Sequence, residues 1–279
     1  MHILFFLTLL LQQRDVPVQE PGIPRWEAPQ PTDILRQDTP VHDDRTGGSG
    51  QLLLQVKGGV RGGFGLVWRD MRDGSLGLYF QSIAGDGERR AVDRPIHGQR
   101  TTRMLDPDVA LAGDGSGGLA WVYTAGKQRA IHVRFFGPWG GFLGRDYGIE
   151  TRQSGRRVAR GVDDSEFAPA IGAYPGRGAL VAWRDRSALK LQVFDGRYRM
   201  QGDVRAPVLG KRLANGEVRV ICGLRKRALV AYESGGAVVL LPLRGGRPLE
   251  PRVLQEGPLL DMTGDGANGV WLLLGGAEG

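Results

Sequence analysis

The sequence predicts an all-β chain of the β-propeller class, and three observations carry that prediction. A phrase is written twice, since "DTPVHDDRTG" (38–47) and "DRPIHGQRTT" (93–102) share Asp, Pro, a β-branched apolar residue, His, Arg and Thr at the same offsets, 55 residues apart. Four apolar runs, "GGFGLVWRD" (62–70), "GGLAWVYTA" (117–125), "RGALVAWRD" (177–185) and "KRALVAYES" (226–234), superpose to give one aromatic column of Trp68, Tyr123, Trp183 and Tyr232. A fifth run, "NGVWLLLGG" (268–276), puts Leu272 in that column, and the spacings of 55, 60, 49 and 40 residues are those of a repeat architecture. Finally, the chain holds 45 glycines, enough for a tight turn about every dozen residues and therefore short strands.

Each repeat has the same order of parts. An alternating apolar segment comes first ("QLLLQV", "PDVALA", "PAIGAY", "VRVICG", "LLDMTG"), then a Gly-rich turn and the aromatic-ending run. A third segment follows ("LGLYFQS", "AIHVRFF", "LKLQVFD", "VVLLPL"), then a turn and a looser fourth ("AVDRPI", "DYGIET", "DVRAPV", "PRVLQE"). Segments of five to eight residues rich in Val, Leu, Ile and aromatics, bounded by Gly or Asp-Gly, are hairpin strands, and four per repeat make a propeller blade. No helical period follows the leader. The repeated phrase is then a fourth strand with its exit loop. Its first copy (about 34–41) has no blade upstream of it, whereas the C-terminus supplies two strands and stops. The sequence therefore predicts five blades, the last completed by Ile34–Val41, a closure that would cover the open sheet edges. A third strand for that blade is not evident; the region Val16–Trp26 is the weak candidate.

Before the repeats, "MHILFFLTLLLQQRD" is apolar from Ile3 to Leu11, too short for a membrane span and suited to a secretory h-region, although no basic residue precedes it. Residues 1–12 are read as a signal peptide and 13–33, with five prolines, as a tether. Residues 34–279 form the propeller domain, and an extracytoplasmic location follows from this reading. Cys222 lies among alternating apolar residues and is expected to be a small buried thiol. The four histidines are scattered along the chain, so no metal site and no cofactor are expected.

"ALVAWRDRSALKLQVFDGRYRMQGD" (179–203) and "FGLVWRDMRDGSLGLYFQSIAGDGER" (64–89) resemble the repeat of secreted bacterial β-propellers. The likeness extends over nearly all of 51–274 and implies the architecture, with no activity attached. The neighbouring sialidase family carries the turn Ser/Thr-x-Asp-x-Gly-x-x-Trp, but the gaps from Asp114 to Trp121 and from Asp265 to Trp271 are longer than that motif allows, so sialidase activity is not implied.

Charge supplies the functional expectations. The net charge of +7 is almost wholly Arg, a composition that suits an anion-binding surface and equally a genome that spells its basic residues as Arg. One rim of the propeller should collect Arg69, Arg103 and Arg184, together with Arg156, Arg157 and Arg160 of the insertion "RQSGRRVAR" (152–160). That rim is the expected ligand face, with an anionic glycan or envelope component as partner; the competing reading pairs these arginines with nearby acids. Asp70 and Asp185 recur at equivalent positions and are the alternative catalytic pair, since two carboxylates across a channel are what a glycoside hydrolase needs. Recurrence favours a turn-capping role instead. Trp139, exposed on the turn "GPWGGF", is read first as a packed edge aromatic and second as a ring that stacks on a sugar. Ranked together, these features put a non-catalytic binding scaffold first and a carbohydrate-active hydrolase second. Nucleotide fingerprints and nucleophile elbows are absent from the sequence, and nucleic acid is not expected as a partner.

Overall fold

The computed structural model describes residues 4–7, 52–59, 63–71, 77–97, 103–125, 128–153, 168–175, 178–185, 188–209, 217–256, 258–264 and 270–274. Within them the fold is all-β and β-propeller-like, with one 3-10 turn at Leu224–Lys226 and five antiparallel sheets. The first sheet runs β2 (Leu52–Gly58), β3 (Phe64–Asp70), β4 (Gly77–Ile83) and β5 (Arg94–Pro95), in that order; β1 (Leu4–Leu7) belongs elsewhere. The second comprises β6 (Arg103–Leu111), β7 (Gly117–Ala125), β8 (Gln128–Phe136) and β9 (Phe142–Gln153). The third holds β10 (Pro169–Ala173), β11 (Ala179–Asp185), β12 (Ala188–Phe194) and β13 (Met200–Leu209). In the fourth, β14 (Val218–Cys222), β15 (Arg227–Ser234) and β16 (Ala237–Arg244) are followed by a fourth position split between β17 (Arg247–Pro248) and β18 (Arg252–Glu256).

The aromatic column becomes a register. Trp68 pairs with Leu53, Tyr123 with Met104, Trp183 with Pro169, Tyr232 with Val218 and Leu272 with Met262, always second strand against first. Turn chemistry enforces the hairpins. Gly235 and Gly236, at φ 63° and 83°, form the two-residue link from β15 to β16 that only left-handed residues allow. The fourth strand of the first sheet shrinks to two residues at Pro95, which has no N–H to extend the ladder.

Sheets pack face to face through four apolar cores, one at each successive junction. Phe80, Trp121 and Phe136 lie between the first and second sheets, and Phe135, Trp183 and Phe194 between the second and third. Leu180, Leu189, Val230 and Leu241 fill the third junction, and Leu240, Met262 and Leu272 the fourth. Gly172 of β10 lets the third and fourth sheets close up, because a Cβ there would lie 2.7 Å from Val220 and 2.9 Å from Cys222. The thiol of Cys222 is pushed up by burial, as expected of a packed cysteine.

The N-terminal end differs from expectation. The fifth sheet has the order β1, β20 (Val270–Leu274) and β19 (Leu259–Gly264), with Leu4 opposite Leu273 and Leu7 opposite Val270. The third position of the last sheet is thus taken by part of the apolar run read as an h-region. The physical reason is in the pattern: four consecutive apolar residues suit a β-strand as well as an export signal. Ile34–Val41, Val16–Trp26 and the first copy of the repeated phrase lie outside the described residues.

Candidate functional site

Successive sheets present their first strands to one another, β2 to β6, β6 to β10, β10 to β14 and β14 to β19, so these five line a common interior. Most of what they present is apolar. The exceptions gather four charged groups. Lys57 on β2 lies 3.5 Å from the Asp261 carboxylate on β19, which links the first sheet to the fifth. Arg219 on β14 places Nε 3.3 Å from the same oxygen, donates to the Leu260 carbonyl and pairs with Glu217. Asp108 on β6 accepts a 2.9 Å hydrogen bond from the Ile171 amide on β10, and its charge interacts with both Lys57 and Arg219. Asp108 thus feels cations from the first and fourth sheets while bonded to the third. Two carboxylates therefore share two cations.

Their environments are unequal. Burial pushes the Asp108 carboxyl above the usual carboxylate range, against the opposing pull of Lys57, the Ile171 amide and Arg219. Asp261 is half exposed and ion-paired, and its own strand supports it through the Met262 amide at 2.8 Å. Both follow irregularities in their strands. In β6 the register shifts between Leu105 and Asp108, and the bulge holds Asp106 at φ 46° beside Pro107, a left-handed conformation costly for a residue with a Cβ. β19 shifts between Leu259 and Asp261. Bulges re-aim side chains, and backbone strain of this kind collects at functional sites.

The residues singled out from sequence fall differently. Asp70 is fully buried and accepts a 3.3 Å bond from the Trp68 indole of its own strand. Asp185 ends β11, where only its backbone is described. Arg184 is buried and Arg69 half-buried; the side chain of Arg103 and all of Arg156, Arg157 and Arg160 lie outside the described residues. Trp139 stands 81% exposed on its turn. Aspartates of the hairpin turns are structural: Asp195 accepts from the amides of Arg197 and Arg199, and Asp114 from that of Ser116.

A second cluster forms away from the axis, where the scattered histidines meet. His97, just beyond β5, and His132 on β8 direct Nδ1 at the same Asp146 oxygen on β9, at 3.0 and 2.7 Å. The His132 hydrogen bond, reinforced by the charge of His97, brings the Asp146 carboxyl down to about 2 despite its partial burial. Separations of 35 and 14 residues in the chain hid this group, because packing the first sheet on the second is what assembles it.

No protein-family model matches the chain, and no curated protein matches it by sequence. Among solved structures it is similar to a family 117 glycoside hydrolase from Zobellia galactanivorans, at 12% identity over 76% of each chain with a TM-score of 0.37. A glycosyl hydrolase from Bacteroides ovatus (10% identity, 71% of this chain and 70% of that one, TM-score 0.36) is also similar. A third is a structure from the family 130 mannoside phosphorylases, which contain glycoside hydrolases that target β-1,2 mannosidic linkages in Candida mannan (9%, 71% and 69%, 0.35). These neighbours are carbohydrate-active enzymes, and the ranking of a non-catalytic scaffold above a hydrolase is corrected accordingly. At such scores the likeness assigns no residue and no substrate.

Proposed function

We propose that the chain is a glycoside hydrolase built on a five-bladed propeller, with Asp108 as the general acid and Asp261 as its partner carboxyl. One observation carries the reading: two carboxylates meet in one interior, share the cations Lys57 and Arg219, and differ in environment. Cleaving a glycosidic bond needs one carboxyl that keeps its proton at working pH and one that does not. Burial raises the Asp108 carboxyl and suits it to the first role, and Asp261, paired with Lys57 and Arg219, is the partner. The Asp106–Pro107 bulge precedes Asp108, whose Oδ2 accepts from the Ile171 amide of the neighbouring strand, so the acid is oriented before substrate arrives.

Substrate choice within this proposal follows the Arg-rich composition, which favours acidic glycans, and export on the apolar leader would put such glycans within reach. The Trp139 face would supply stacking to a sugar ring. The test is release of aglycone from neutral and uronic-acid aryl glycosides. Turnover is expected, and Asp108→Asn should lower it about 10²–10⁴-fold without altering circular dichroism. Absence of turnover on the whole panel, or full activity in Asp108→Asn, would overturn the assignment.

A further inference from the structure

The histidine cluster lies at the junction of the first and second sheets, outside the interior, and the proposed hydrolysis makes no use of it. Its donors are two imidazoles and one carboxylate, and their ligand atoms all lie within 4.8 Å of one another. We propose that His97, His132 and Asp146 bind a divalent transition-metal ion of the zinc class, which staples the first sheet to the second.

The donor set argues for this class of ion. Imidazole nitrogen and carboxylate oxygen together suit zinc and its first-row neighbours, while calcium and magnesium prefer oxygen alone. The surrounding charge sharpens the choice: the guanidinium of Arg134 acts on Asp146 from nearby, with Arg94 beyond it, and this local positive field weakens ions held by charge alone. Arg134 cannot easily take the carboxylate for itself, because it donates at 2.6 Å to the Ile96 carbonyl and lies 4.1 Å over the Phe142 ring.

The imidazoles are positioned before any ion arrives. Tyr123 stacks on His132 at 4.5 Å and meets His97 edge-on at 5.2 Å, while the buried Trp121 ring lies 5.7 Å from His132. Both Nδ1 atoms crowd one carboxylate oxygen at hydrogen-bond distances, the spacing that ligand atoms keep around a small shared cation. His97 Nε2 is buried with no hydrogen-bond partner among the described residues, so Asp146 is the one polar side chain shown bonded to this ring. The side chains retain 12%, 17% and 20% of their exposure, which leaves an entry path from solvent. Since His97 follows the first sheet and the other two ligands belong to the second, binding would tie the sheets and add its free energy to stability.

The experiment starts from chelator-treated protein, titrated calorimetrically with zinc chloride and analysed for metal after dialysis. One zinc per chain is expected, with a higher unfolding temperature. His132→Gln and Asp146→Asn should each weaken binding more than about tenfold and abolish the thermal gain. Asp146→Asn keeps volume and acceptor, so a folded variant is available should His132→Gln unfold. Cobalt substitution should give visible bands that vanish in either variant. Failure to bind zinc at micromolar concentration, or binding undiminished in both variants, would overturn the proposal and show that the cluster is a hydrogen-bonded clamp. Neither result touches the hydrolase reading, which is scored at Asp108.

Discussion

Asp108 and Asp146 stand on the first and last strands of the same sheet, and their carboxyls shift in opposite directions. At Asp108 burial outweighs two cations and two backbone amides, and the carboxyl is raised. Contact decides the matter at Asp146, where an imidazole at 2.7 Å overcomes desolvation and the carboxyl is brought down to about 2. The sheet supplies the same residue type to an interior and to a junction, and only the nearest neighbours determine whether it serves as an acid or as a ligand.

The largest effects that could break this contrast are on turnover. Asp261→Asn should reduce hydrolysis by about as much as Asp108→Asn, within 10²–10⁴-fold. Because Asp261 is exposed, loss of its pairs with Lys57 and Arg219 should cost at most about 1 kcal/mol in urea unfolding. A large loss of stability with activity preserved would make Asp261 a brace between the first and last sheets, leaving Asp108 with no partner.

Next in size is Trp121→Ala, which tests whether the two regions are separable. Trp121 is fully buried in the first junction against both histidines, so truncation should cost about 3–5 kcal/mol and disorder the metal ligands. Trp121 adjoins Ala120, the cross-strand partner of Asp108, so turnover per folded molecule reports how far the two regions are coupled, and it should survive if they are separable. Loss of both together in a folded variant would mean that the junction and the interior form one unit.

A smaller effect is expected from beginning the chain at residue 13. Four residue pairs between β1 and β20 would go, on the order of 1–3 kcal/mol by denaturation. Intact-mass measurement of the native protein decides whether the cell makes that cut. If it does, β20 must complete its outer edge with another segment.

How much of this was legible follows the range of the interactions. Blade grammar was readable because hairpins are local: Trp68, Tyr123, Trp183 and Tyr232 announce second strands wherever glycines bracket an apolar run. "LDPDVAL" held a readable signal for the site as well. Two acids and a proline interrupting an inner strand are a bulge with charged residues turned inward, and recurrence of Arg-Asp in two blades drew the eye to Asp70 and Asp185 instead. Nothing local marks Asp261 or the meeting of His97 with His132, since those depend on which sheet faces which. His97 did appear in the repeated phrase, but there it read as part of a strand exit.

The smallest effect is also the one that tests the proposed acid most directly, through the stability of Asp108→Asn as a function of pH. Asn keeps an oxygen for the Ile171 amide and carries no charge at any pH. The raised carboxyl binds its proton more tightly folded than unfolded, so its contribution to stability is fully present below the unfolded value of about 3.9. That contribution is lost as pH rises through the folded value. At neutral pH the wild type must therefore either take up a proton on folding or bury a charge, a cost that the variant lacks. Asp108→Asn should be the more stable protein at pH 7 by urea unfolding, and the advantage should fade as the pH is lowered toward 4. A variant that is less stable at pH 7 would mean that Lys57 and Arg219 outweigh burial, and Asp108 would then be a paired carboxylate rather than the acid.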